Sequence, residues 1–155
     1  MNSKERVKTA LQHREPDRVP IIASFTPEFA QRLRNYLGLP PHFYNPHGGE
    51  VHDLEEALGL DIIQYAVGMG NSFYASEEKE YICDWGIKWR QVEYETPFGK
   101  GHYTEIAEHP LAGDRLFQYI PPAPQREELY TPLEGIMEKY GEKYFILGVT
   151  VCTIF

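Results

Sequence analysis

Few residues in this sequence stand at spacings that chemistry demands. His42, His47 and His52 recur every five residues. That spacing brings them to no common helix face, so solvated loop histidines are the plain reading rather than a metal site. Cys83 and Cys152 have no metal-ligand spacing; with no sign of export they read as reduced thiols, with a pairing of the two as the alternative. Gly68-Met69-Gly70 lacks the third glycine and the helix of a dinucleotide loop. His109, before Pro110, reads as a loop residue that bonds backbone, and Asp84 beside Trp85 as a turn stabiliser. Trp85 and Trp89 read as hairpin packing, with an aromatic lid over a ligand as the alternative. The remaining candidates gain interest from position. Ser24, Phe25, Thr26, Tyr65, Asn71 and Cys152 each fall at or just past the carboxyl end of an expected strand, where α/β folds place their binding groups. They are the candidate substrate-binding residues. No catalytic residue is singled out, and no metal or cofactor is assigned to this stretch of chain.

The elements that would position these residues follow from patterning. Residues 2 to 13 read as a helix, with Asn2 and Glu5 resembling a capping box. After the turn signal Glu15-Pro16-Asp17, residues 19 to 23 are apolar on both faces, the signature of a buried parallel strand with Pro20 at its start. Thr26 as N-cap, Pro27 at the first helical position and Gly38 at the far end bracket a second helix, with Phe29, Ala30, Leu33, Tyr36 and Leu37 at helical spacing. A short helix is expected over 50 to 58, stopped by Gly59, then a strand over 60 to 67. From 72 to 106 the texture changes to hairpins, with strands at 81 to 84, 87 to 94 and 102 to 106. Ile87 and Trp89 would share one face there, and Lys88 and Arg90 the other. A helix within 125 to 140 follows. Thr131-Pro132-Leu133-Glu134 reads as its capping box, marking a start or a kink. Residues 143 to 150 give a third apolar strand. The three apolar strands, separated by helices, should be parallel neighbours in one sheet.

Composition narrows the partners. The chain has 155 residues, enough for one domain with a real core, and a net charge of -8. That charge disfavours nucleic acid and anionic membranes. No run approaches the ~20 apolar residues of a membrane span, and the polar start carries no secretory signal, so a cytoplasmic protein with a small-molecule substrate is expected. The last residues, Gly148 to Phe155, are uncharged and largely apolar. On this ground the chain is expected to be the front part of a longer protein.

Several stretches together resemble a known family. Ser3-Lys4-Glu5-Arg6-Val7-Lys8-Thr9-Ala10-Leu11 leads through Glu15-Pro16-Asp17-Arg18-Val19-Pro20 into a strand. Leu58-Gly59-Leu60-Asp61, then Asp84-Trp85-Gly86-Ile87-Lys88-Trp89, His109-Pro110-Leu111 and the Pro-x-Pro of Pro122 to Pro124 follow in order. The whole resembles the N-terminal half of the uroporphyrinogen decarboxylase superfamily, which includes the decarboxylase of haem synthesis and the corrinoid-linked methyltransferases. The resemblance implies the N-terminal part of a TIM (β/α)8 barrel with a β-hairpin insertion at about 72 to 106, its site at the carboxyl ends of the strands. A full barrel needs ~250 residues.

The departures from that family carry information. Where the decarboxylase has Met-Arg-Gln-Ala-Gly-Arg, with arginines for substrate carboxylates, this chain reads Ala23-Ser24-Phe25-Thr26-Pro27-Glu28. Its aspartate at the end of the second strand would fall near Gly68. Arg32 and Arg34, on the following helix, are expected to point to solvent or across the barrel's outside. The methyltransferase branch therefore fits better, by elimination. That branch implies a corrinoid protein as partner, and zinc held by a His-x-Cys and a later Cys in the second half of the barrel, beyond this chain. The alternatives are a carboxy-lyase of the uroporphyrinogen decarboxylase type and a non-catalytic binding barrel.

Overall fold

The computed structural model describes residues 1 to 42, 49, 51 to 67, 78 to 97 and 99 to 149. In chain order these form α1 (Ser3–Leu11), α2 (Pro27–Leu37), α3 (Asp53–Leu58), β1 (Ile62–Tyr65), β2 (Glu80–Ile82), β3 (Lys88–Thr96), β4 (Gly99–Glu108), α4 (Thr131–Tyr140) and β5 (Phe145–Gly148). Short 3-10 turns cover Gly113–Gln118 and Glu127–Leu129. The chain divides into two units, Met1–Val67 with Glu127–Phe155, and Gly68–Arg126. The result is a mixed α/β structure with a small parallel sheet and a separate antiparallel sheet; no barrel closes among the described residues.

In the first unit, β1 and β5 pair in parallel, Ile62 opposite Phe145 through Tyr65 opposite Gly148. One face of this pair carries Ile63, Tyr65 and Ile146, packed against Leu133, Ile136 and Tyr140 of α4 and against Tyr144. Strand alternation turns Ile62, Gln64, Phe145 and Leu147 to the opposite face. A second cluster joins α2 to α3, with Ala30 and Leu54 buried among Phe25, Leu33, Leu37, Leu39 and Leu58. Phe29 and Tyr36 lie exposed, so the apolar stripe of α2 is narrower than its sequence pattern.

The helix ends follow local chemistry. Asn2 accepts the Glu5 backbone N–H at 2.8 Å and Glu5 accepts the Asn2 N–H at 2.9 Å, the reciprocal box expected. Thr26 caps α2 with Pro27 first in the helix, and Gly38 and Gly59 close α2 and α3 at φ 70° and 64°, backbone angles that favour glycine. At α4 the expected box fails. Tyr130 holds the N-cap without a side-chain bond, and the Thr131 hydroxyl instead donates to the Glu127 carbonyl at 3.2 Å. A preceding 3-10 turn already supplies acceptors there, which moves the helix start back by one residue.

The 19 to 23 stretch is a correction. It forms no strand. The Asp61 N–H donates to the Ile21 carbonyl at 2.8 Å, and the Gln64 amide donates to the Ser24 hydroxyl oxygen. The two pairs share one spacing, so 21 to 24 runs beside β1 in the same direction. Pro20 offers no N–H, and Ile21 directs its own to the Asp61 carboxylate at 2.9 Å, so no ladder develops. The segment is also not buried: Val19 is 77% exposed, and Ile21 and Ile22 are exposed as well.

The second unit is the antiparallel sheet β2-β3-β4. Its strands fall where hairpins are expected, but β3 and β4 reach further, to Thr96 opposite Gly99. Gly86, at φ 71°, makes the first turn, its N–H reaching the Cys83 carbonyl at 2.8 Å. Trp89 is buried. On the other face Lys88 bonds Glu80 at 2.9 Å and lies 3.7 Å from Glu108, and Arg90 bonds Glu105.

Two outcomes are expected. The isolated chain should self-associate, because Val19, Ile21, Ile22 and Leu147 leave apolar surface in water. Light scattering after gel filtration measures this, and a monodisperse monomer with a sharp melt would oppose it. Asp61→Asn should cost roughly 3–5 kcal/mol in urea unfolding, since it strips a buried charge from its partners; a loss below ~1 kcal/mol would mean that the carboxylate is dispensable.

Candidate functional site

The two ends of the parallel sheet differ in chemistry. At the amino end of β1 the Asp61 side chain is fully buried. It accepts from Arg18 at 2.6 and 2.9 Å, from Arg6 and from the Ile21 N–H at 2.9 Å. Arg6 bonds Asp17 at 2.6 and 2.9 Å, and Arg18 also donates to the Gly59 carbonyl at 2.9 Å. Asp17, held by Arg6, has its pKa lowered from 3.8 to about 2. For Asp61, burial alone would raise the pKa; the Ile21 N–H and its Ser3, Arg18 and Arg6 partners outweigh that and hold it low. In β/α folds the amino end of the strands carries stability rather than catalysis.

Among the described residues, the segments ending at the carboxyl end carry no cation, and Glu28 in the first turn of α2 is the charge beside them. Ser24, Phe25 and Thr26 precede α2; Gln64, Tyr65, Ala66 and Val67 end β1, and Leu147, Gly148 and Val149 end β5. Ser24 is exposed and its oxygen accepts the Gln64 side-chain N–H. Phe25 is half-buried, with its ring 5.7 Å from that of Phe29. Thr26 spends its oxygen on the Phe29 N–H at 3.4 Å. Tyr65 is buried in the core and its carbonyl accepts the Val149 N–H at 3.0 Å. Thr26 and Tyr65 thus hold structural positions, while Ser24 faces solvent beside Phe25. Asn71 and Cys152 lie outside the described residues. Gln64 is the residue sequence reasoning missed. An amide inside the apolar run from Leu60 to Val67 was the available signal.

Four further expectations are revised or placed. Arg34 does not point to solvent. It is 1% exposed and forks onto Asp53 at 2.6 and 2.7 Å and onto the Pro40 carbonyl at 2.7 and 2.8 Å. This lowers the Asp53 pKa and clamps α2 to α3. A charged head at that helix position reaches an acid that sequence spacing does not reveal. His52 is no solvated loop residue. It is 5% exposed, edge-on to Tyr140 at 5.4 Å and 3.3 Å from Glu55, while His42 is exposed and His47 lies outside the described residues. Asp84 accepts from Arg126 at 3.0 Å, and His109 Nδ1 accepts the Leu111 N–H at 3.1 Å as expected. Among the described residues no three His, Cys, Asp or Glu side chains stand together as a metal site, and no helix is long and apolar enough to cross a membrane. No protein-family model matches the chain, and no curated protein or solved structure matches it.

The depressed carboxylates set a pH dependence. A carboxyl group with a lowered folded-state pKa stabilises the fold above its unfolded value and stops doing so as pH falls through the folded value. For Asp17 that window runs from 3.8 down to about 2. Urea unfolding measured through this range should show stability falling, and Asp17→Asn should flatten that fall. An unchanged slope in the variant would exclude the Arg6–Asp17 pair as a source.

Proposed function

We propose that this chain is the amino-terminal part of a uroporphyrinogen-decarboxylase-like TIM barrel of the corrinoid-linked methyltransferase type, a cytoplasmic enzyme that passes a methyl group from a corrinoid protein to a thiol. The reading rests on the family resemblance of the motifs, and the parallel pairing of β1 with β5 across an intervening α4 is in keeping with it. One observation carries the choice of branch: among the described residues, 23 to 27, 64 to 67 and 147 to 149 at the strands' carboxyl ends include no cation, and the first turn of α2 adds the acid Glu28, while the Arg6, Arg18, Asp17 and Asp61 network sits at the amino end. A polycarboxylate tetrapyrrole needs cationic groups to neutralise its acids and steady developing charge. Arg34, the nearest cation along the chain after Ser24 but for Arg32, is already bound to Asp53.

The corrinoid would supply an electrophilic methyl group. Zinc, if used, would be held by residues beyond this chain. The contribution of these residues is a neutral, partly apolar wall in which Phe25, Gln64 and Ser24 exclude charged groups and orient an uncharged one.

The test uses the whole gene product. Supplied anaerobically with uroporphyrinogen, it should release no coproporphyrinogen by chromatography, and turnover at ~1 per second or above would overturn the branch assignment. On the same sample, zinc analysis and methylation of a thiol by methylcobalamin should both be positive. Failure of both would remove the methyltransferase reading.

A further inference from the structure

Gln64 sits on the face of β1 turned away from the α4 core, beside Leu147 in the sheet register. An amide on such a strand face is costly to desolvate unless its hydrogen bonds are met. Its Nε2 donates to the Ser24 oxygen. A serine oxygen that accepts an N–H directs its own proton elsewhere. Ser24 is exposed, and among the described residues its hydroxyl has no second partner. Ile22 and Leu147, both exposed, supply apolar surface on the neighbouring segments. Among the described residues the arrangement sets an exposed hydroxyl donor beside apolar surface, the pattern by which binding surfaces orient a small molecule.

We infer that Ser24 donates a hydrogen bond to an uncharged oxygen of the substrate, and that Gln64 is the positioning residue that aims the hydroxyl; this rests on the barrel-enzyme reading above. An anionic group would want charge-assisted donors, and the residues ending these segments supply none. The bland competitor is that the pair only ties residues 21 to 24 to β1. That role would appear in stability and not in substrate preference.

The experiment takes the whole gene product and two thiol probes, 2-mercaptoethanol with an uncharged hydroxyl and 3-mercaptopropionate with a carboxylate. Methyl transfer from methylcobalamin is followed for wild type, Ser24→Ala, Ser24→Thr and Gln64→Leu. Wild type should show the lower KM for 2-mercaptoethanol. Ser24→Ala and Gln64→Leu should raise that KM about fivefold, the scale of one neutral hydrogen bond, and should move the KM for 3-mercaptopropionate by less than about twofold. Ser24→Thr keeps the hydroxyl and should keep the preference. Equal changes for both probes, no change for either, or a lowered melting temperature with the preference intact would each overturn the inference. If wild type methylates neither thiol, the methyltransferase reading fails separately. Saturation-transfer NMR with the same probes then decides. A contrast favouring 2-mercaptoethanol that disappears in Ser24→Ala supports the donor, and identical signals in the two proteins overturn it.

Discussion

The first unit turns on one buried carboxylate. Asp61 is fully buried, and a lone carboxylate there would be driven to neutralise. It stays charged because Arg6 comes from α1, Arg18 from the loop after it, and the Ile21 N–H from the extended segment beside β1. The Asp61 backbone does further joining: its N–H reaches Ile21 and its carbonyl accepts the Phe145 N–H at 3.2 Å. Four distant pieces of chain therefore meet at one residue. A buried pair of this kind adds less stability than packed apolar groups would, but losing one partner strands the other charge. Two arginines and an N–H, each with fixed geometry, accept few arrangements of those segments.

The same economy recurs between α2 and α3, where Arg34 is spent on Asp53 and Pro40. Cations that a sequence count would offer to an anionic ligand are thereby committed to structure. In the hairpin sheet, Lys88 and Arg90 are likewise committed to Glu80, Glu108 and Glu105 across the strands. These exposed pairs contribute little to stability one by one, and serve more to keep that sheet face polar. Among the described residues, the carboxyl end of the parallel sheet is left presenting hydroxyl, amide and apolar groups.

His52 shows where the structure tolerates cost. It is buried with neither ring nitrogen in a hydrogen bond, and one oxygen of its neighbour Glu55 is also unmet. Such groups each forfeit part of a hydrogen bond's worth. Edge-on contact with Tyr140 and the 3.3 Å approach to Glu55 offset part of it. The histidine's place beside the α3 start, opposite α4, could not be seen from its five-residue spacing to other histidines.

Much was legible locally. The reciprocal Asn2–Glu5 box, Thr26 and Pro27 opening α2, Gly38 and Gly59 ending helices, and the turn at Gly86 depend on a few adjacent residues, and each stands as its residue types require. The hairpin strands were legible because alternation and turn residues reinforce one another over short distances. At Thr131 the helix begins as local reading has it, but the capping box does not form, because the preceding turn at Glu127–Leu129 competes for the same hydroxyl. What sequence determined by itself, then, was the type and rough extent of most elements, since caps, turns and periodicity act within a few residues. Whether residues 19 to 23 became a strand, that Arg34 went inward, and that Ser24 found Gln64 were decided by tertiary structure alone. Ladder pairing, burial and ion pairing join residues that lie far apart in the chain or take their surroundings from distant segments, and no local pattern encodes that proximity.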